Sequence, residues 1–323
     1  MTLLRRSLLA AMSLAALPRR AIAQPAGTAP IKFVVGFASG GSTDAMARII
    51  AERLGQRIGR QIVVENNAGA SGRLAAEQVK RADPDGLNML VGNIGMIALA
   101  PVTFRNLSYD PLRDFAPTIR AADFQIALAA SPHTGATNLA ALVAWLKANG
   151  SQANVGAPLQ ASLSHLTALR FAAASGSAAA VVIYRGSALA LPDMLGGRIA
   201  GTVAAVGDFI EQHRAGAIRI VAVSGASRSP SLPDVATFAE QGIGDLGGNG
   251  WNGFLLPRGV APELVGFFNR EIAATIAEPA VAEKLAGLGF VQPAANTPAE
   301  FAATIASEIE AWRPVVKAAG LEQ

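Results

Sequence analysis

No cysteine occurs in the 323 residues. Disulfides and thiolate-bound metals are thereby excluded. An oxidising compartment is not, because a domain large enough to bury its own core needs no bridges. Histidine is almost as scarce. His133, His165 and His213 are the only three; no two stand at ligand spacing and none belongs to an HExxH arrangement, so no metal site is expected. GxSxG and GxxxxGK are missing, and no GxGxxG follows the first strand. No pair of carboxylates clusters for general acid–base work; Asp110 and Asp114 read as turn and cap residues. No catalytic residue, metal or cofactor is assigned.

A basic surface is also absent, although the formal net charge is +4. Four of the 27 basic residues, Arg5, Arg6, Arg19 and Arg20, lie in residues 1–23, which contain no acid. That segment has the layout of an export signal: a basic start, a short apolar run from Ser7 to Leu17, and a small-residue cleavage site at Ala21-Ile22-Ala23. The run is too short to span a bilayer. Arg5-Arg6 before Ser-Leu-Leu fits a twin-arginine signal in part, and a general secretory signal equally, since Leu4 precedes the pair. Cleavage before Gln24 leaves 23 basic against 23 acidic residues. Nothing then argues for nucleic acid or an anionic membrane.

What the chain has is apolar bulk, half its residues, enough for two cores. It also has alternating strand and helix patterns, which imply βαβ units and a mostly parallel sheet. Ile31 to Asp44 (IKFVVGFASGGSTD) sets the plan. A β-branched strand runs into Ser39-Gly40-Gly41, and Ser42 is placed to cap a helix carrying Met46, Ile49, Ile50 and Leu54. A strand, a glycine turn and a helix N-terminus make either an anion site or an ordinary turn. Strands are expected near 61–65, 88–92, 125–130, 154–157, 179–184, 199–204, 218–224 and 251–256. Helices are expected after Asn138, after Ser162 or Ser164, and after the first-turn prolines Pro262 and Pro279. Thr297-Pro298-Ala299-Glu300 is a capping box. The plan of the opening unit returns near Asn154, which points to two α/β domains with a cleft between them.

Several residues keep two readings. Asp44 is a first-turn partner of the helix dipole or a ligand contact. Arg73 and Arg185 flank strand-end loops and either pair with a carboxylate or sit in solvent. Ser162 and Ser164 beside His165 suggest a nucleophile, or a helix cap with a packed histidine.

The stretches FASGGSTD (37–44), VVENNAGASG (63–72), ADPDG (82–86), LSYDPLRDF (107–115), YRGSALALPDMLGG (184–197) and WNGFLLP (251–257), in this order and spacing, resemble the Bug-type extracytoplasmic solute receptors. These are the substrate-binding proteins of tripartite tricarboxylate transporters. The resemblance covers about Ile31 to Leu321. It implies a periplasmic two-domain clamshell, an α/β fold of the type II periplasmic-binding-protein kind with mostly parallel sheets. Residues 24–124 plus 250–323 would form the first domain and 125–249 the second, with strands near Phe124–Ala130 and Trp251–Leu256 crossing between them. It implies a small carboxylate as ligand, be it an organic, amino or aromatic acid. The implied partners are transporter membrane subunits or, alternatively, a sensor kinase; a secreted serine hydrolase is the other reading. Carried onto this sequence, the pocket would use Gly40, Gly41, Ser42, Asp44, Ala70, Ser71, Asn93, Ala161, Ser162, Tyr184, Arg185 and Gly186.

The chain departs from the family at Ser39, where proline is usual, and at Asn67-Ala68, where Arg-Pro is. Lysine is commoner at Arg185, and the helix proline is Pro192 rather than near Leu189. A polar or acidic residue frequent near Ala204 is missing. The loop GAPLQASLSHL (156–166) holds fewer glycines and serines than usual. The second-domain side of the pocket is therefore expected to favour a less typical, more apolar ligand.

Overall fold

The computed structural model describes residues 28–323; the export signal expected at 1–23 lies outside the described residues. Strand β1 (Ile31–Val35) buries Ile31, Phe33, Val34 and Val35 completely and sends Lys32 out to Glu65 at 3.2 Å. Such a β-branched and aromatic run fits a central strand covered on both faces. It lies between β2 (Ile62–Asn66) and β3 (Asn88–Asn93), parallel to each, with α1 (Ser42–Ile58) and α2 (Arg73–Lys80) as the crossovers. After β3 the chain makes a π-helical turn at Gly95–Leu99 and a short α3 (Ala100–Thr103). The first sheet is completed by β4 (Phe115–Phe124), β10 (Gly250–Pro257) and β11 (Phe290–Val291), in the order β11-β4-β10-β3-β1-β2. β10 is buried along its whole length and runs antiparallel to both β3 and β4. Helices α8 (Pro262–Ile276), α9 (Pro279–Gly287) and α10 (Pro298–Ala318) finish this half. Trp251 anchors β10: it is fully buried, meets Phe301 edge-on at 5.1 Å and donates its indole N–H to Glu308 at 2.7 Å. Burial of such a side chain contributes roughly 1.5–3 kcal/mol.

The second sheet has the order β7-β6-β8-β5-β9. Its strands are β5 (Ile126–Ala130), β6 (Asn154–Pro158), β7 (Ala180–Tyr184), β8 (Gly201–Ala205) and β9 (Arg219–Val223). β6 is parallel to β7 and β8, and β5 is antiparallel to β8 and β9. Around it lie α4 (Leu139–Asn149), α5 (Leu163–Ser175), α6 (Ser187–Leu195) and α7 (Ile210–Arg214). The fold is the two-domain α/β clamshell expected from the sequence. Its sheets are mixed: parallel pairs belong to the βαβ units, and the crossing strands run against them.

A single residue, Gln125, separates β4 in one sheet from β5 in the other. It is buried, and its amide donates to the carbonyls of Ser224 and Ser227, at the start of the return connection. Ser224 in turn accepts the N–H of Ile126 at 2.9 Å. The two passages between the sheets are thus bonded to each other. On the far side of that connection, Gly247 is enclosed by Leu163 and Thr167 of α5 and by the ring of Trp312 on α10.

The expected caps hold at Asn138, Ser162 and Thr297, the last with both bonds of a capping box. At α1 the outcome differs. Gly41 is the N-cap and Ser42 the first helical residue, with no side-chain cap from this chain segment. The reason lies across the cleft.

Candidate functional site

A cavity of about 100 Å³ lies between the two sheets' domains, at the carboxyl ends of strands from both. Three helix N-termini open onto it. Ser42, Thr43 and Asp44 come from α1, Leu163 and Ser164 from α5, and Ser187 and Ala188 from α6. The first N–H groups of a helix have no intrahelical acceptor and carry partial positive charge, so each end favours an anion.

The first-domain loop is held by Asp44. Its carboxylate is almost fully buried and accepts the Gly40 N–H at 3.0 Å and the Asn66 amide at 2.9 Å. Both nitrogens of Arg48 that reach it stand at 3.0 Å. Burial pushes this carboxyl up, but the bonds from Arg48, Gly40 and Asn66 outweigh it and hold it below its ordinary value. Gly40 has φ +87°, a conformation that glycine adopts without a steric cost. All of Asp44's strong acceptor directions are thus spent on shaping the loop.

The second-domain loop is organised by Ser162 and His165. Ser162 donates to the Pro158 carbonyl at 2.7 Å and accepts the His165 N–H at 3.1 Å. The His165 Nδ1 accepts the Ala161 N–H at 3.1 Å. Neither residue is free to activate the other, which removes the hydrolase geometry considered for Ser162 and His165. Burial lowers the His165 pKa, consistent with a neutral ring that accepts. Leu159 and Ala161 take φ of +60° and +61°, as Ala70 and Ser71 in the facing loop take +47° and +57°. Non-glycine residues held there store backbone strain of order 1 kcal/mol each, which concentrates at functional sites. These two loops meet, with the Ser71 hydroxyl donating to the Gln160 carbonyl at 2.9 Å.

Asp208 is the residue that sequence reasoning missed. It follows β8, lines the cavity, and accepts the N–H of Ser42 across the cleft at 3.1 Å. The hydroxyls of Ser42 and Ser187 and the N–H of Ala205 converge on the same carboxylate. Burial pushes this carboxyl up against those bonds. It therefore supplies the cap that α1 lacks locally. The adjoining Gly207 is pressed onto the first domain so closely that a Cβ would stand 2.2 Å from the Leu288 carbonyl oxygen. The position of Asp208 at a strand's carboxyl end was the available signal. Asn252 on β10 was also missed. It is fully buried and accepts from Thr43 at 3.3 Å, behind the cavity wall.

Of the expected pocket residues, Gly41, Ser42, Asp44, Asn93, Ser162, Arg185 and Gly186 line this cavity. Ser71 and Ala161 line a smaller recess beside it, with Asn93 and Ser162 shared. Gly40 turns its N–H into Asp44 and Ala70 gives its carbonyl to Arg73 at 2.8 Å, neither on the cavity wall. Tyr184 donates to Asp193 at 2.8 Å, away from the cavity, and its phenol is pushed up to about 12, first by burial and then by Asp193. Arg73 lies over the Phe104 ring at 3.8 Å, which accounts for it without a ligand. Arg185 is exposed at the lip, has no ion-pair or hydrogen-bond partner among the described residues, and is the one cation on the wall. Pro158, Leu159, Leu163, Ala188 and Ala205 make the second-domain side largely apolar.

Two α/β domains, joined by paired crossings around a cleft that helix N-termini enter, define a bilobal solute receptor. The chain belongs to the tripartite tricarboxylate transporter receptor family, whose sequence profile matches residues 46–321. It is 31% identical to Protein BugT of Bordetella pertussis, over 90% of this chain and 89% of BugT. A solved structure of Rhodopseudomonas palustris Rpa4515 with adipate superposes with a TM-score of 0.86 at 32% identity, covering 90% of this chain and 97% of that one. MatC of the same organism with bound malate gives 0.82 at 27%, covering 89% and 98%. The protein is a periplasmic solute receptor and not an enzyme.

Proposed function

We propose that this receptor captures a small carboxylate in the interdomain cleft and delivers it to the membrane subunits of a tripartite tricarboxylate transporter. The observation that carries the reading is the convergence of three helix N-termini and one unpaired cation, Arg185, on a single small cavity. Backbone N–H groups and a lip guanidinium suit an anion and need no catalytic group. Binding of adipate and malate by two structural neighbours supports the ligand class. The pocket set consists of Gly41, Ser42, Asn93, Ser162, Arg185 and Gly186 as direct contacts. Asp44, Gly40, Ala70, Ser71, Ala161 and Tyr184 hold the loops that carry them. The domains divide at 124/125 and 249/250, a boundary supported by β4 ending at Phe124 and β10 starting at Gly250.

A panel of organic, amino and aromatic acids screened by thermal shift tests the reading, together with mass spectrometry of small molecules released from the purified protein. One or more acids raising the midpoint is the expected result, with Arg185→Ala reducing the shift. A protein that no acid stabilises and that releases none contradicts it.

A further inference from the structure

We propose that Asp208 makes this cleft selective for carboxylates that carry an amine at their other end, at the expense of dicarboxylates. The inference rests on the receptor reading above. One carboxylate, the protein's own, already stands between the N-termini of α1 and α6, bonded to the Ser42 N–H at 3.1 Å and approached by the hydroxyls of Ser42 and Ser187. A ligand carboxylate steered to that spot finds the Ser42 N–H already taken and meets a second acceptor rather than a donor.

The places left for the ligand's carboxylate are the N-terminus of α5 and the guanidinium of Arg185, which line the same cavity. At α5 the N–H groups of Leu163 and Ser164 have no acceptor within the helix. The cavity is small, so a ligand anchored there turns its other end toward Asp208. The charges on the wall make the same point. Two acids line it, but Asp44 is neutralised by Arg48. What remains facing the ligand is one cation, Arg185, and one acid, Asp208. That pair offers one donor cation for a carboxylate and one acceptor for an amine, and gives the second carboxylate of a dianion no cation. Ala204, four residues before Asp208, is fully buried in the second-domain core and offers no polar group; the acid of this jaw comes from Asp208 instead.

Calorimetric titration of the purified receptor with matched pairs tests the proposal: 4-aminobutanoate against glutarate, and 3-aminopropanoate against succinate. Each pair exchanges one terminal carboxylate for an amine. Wild type is expected to bind the amine member about tenfold or more tightly than its partner. In Asp208→Asn that ratio falls at least about fivefold and dicarboxylate binding strengthens. Wild type binding the dicarboxylate as tightly as the amine, or Asp208→Asn leaving the ratio unchanged, overturns the proposal. If Asp208→Asn does not fold, the wild-type ratio decides alone. If neither pair binds but another acid stabilises the receptor, the selectivity is refuted and the receptor reading stands; if no acid binds at all, both fall.

Discussion

The Ser71 hydroxyl donates to the Gln160 carbonyl at 2.9 Å, and so ties the loop before α2 to the loop before α5 across the mouth of the cleft. Both ends of this bond rest on strained backbone, with Ser71 at φ +57° and the neighbours of Gln160 at +60° and +61°. The bond spans the two domains, so parting them at this point breaks it. Ser71→Ala is expected to weaken closure by about 0.5–1.5 kcal/mol, which reads as ligand leaving roughly two- to tenfold faster. Stopped-flow dissociation of any ligand found by screening measures this, and an unchanged rate would show that the bond does not hold the jaws.

Gly207 gives a second handle on closure. A methyl group there would stand 2.2 Å from the Leu288 carbonyl oxygen and 2.9 Å from the Ser42 Cβ. Backbone cannot yield as a flexible side chain does, so the 206–208 loop has to retreat from the first domain. Gly207→Ala is expected to weaken ligand binding about tenfold or more, with little change in the unliganded melting temperature. Small-angle scattering should show a larger radius in the presence of ligand. A variant that binds and compacts like wild type contradicts the docking role given to this loop.

Asp44 organises the first-domain loop rather than the ligand. Its replacement by asparagine removes a charge that answers Arg48 and the Gly40 N–H, at a cost of about 1–3 kcal/mol. Because the folded pKa lies below the ordinary 3.8, the contribution is present above 3.8 and is lost as pH falls through the folded value. Asp44→Asn should therefore lower the melting temperature at neutral pH and converge on wild type in strong acid. Parallel curves down to the acid limit would be the wrong outcome for this assignment.

Two histidines set a second pH limb of the same sign, at higher pH. His165 and His213 accept the N–H groups of Ala161 and Ile220 through Nδ1 at 3.1 and 3.2 Å. Burial lowers both pKa values, with the charge of Arg219 adding at His213. Above the ordinary value of 6.5 both states are neutral and no penalty arises. Below it the unfolded chain takes protons first, so stability falls with pH until the folded values are reached. Melting temperatures from about pH 8 to about pH 5 should decline below about pH 6.5. His165→Gln with His213→Gln should flatten that decline.

How far the sequence reached can be seen at particular residues. The strand, glycine turn and helix of 31–58 were legible because each piece carries a local signal, as were the caps at Asn138, Ser162 and Thr297. β4 was not: FAPTIRAADF has a proline, an arginine and an aspartate, and it is a strand because β10 and β11 pair with it on either side. Ser42 was read as a cap for good local reasons. Its N–H is instead answered by Asp208, 166 residues away, and no short window contains both. The wall of the candidate site near β1 and β3 follows from local chemistry. The opposing wall depends on which loops the hinge brings together, and only tertiary structure supplies that.

The approach of Trp312 to Gly247 has a practical consequence. Trp251 is sealed inside β10 and Trp145 sits on α4 within one lobe, so both keep their surroundings as the jaws swing. Trp312 alone leans from one lobe onto the other. Its emission is thus expected to gauge aperture, shifting to the red as water reaches the indole and back to the blue on capture, which a fluorescence titration measures. Presented with candidate compounds in a cuvette, without label or tag, the receptor is expected to report by its own fluorescence which one shuts it.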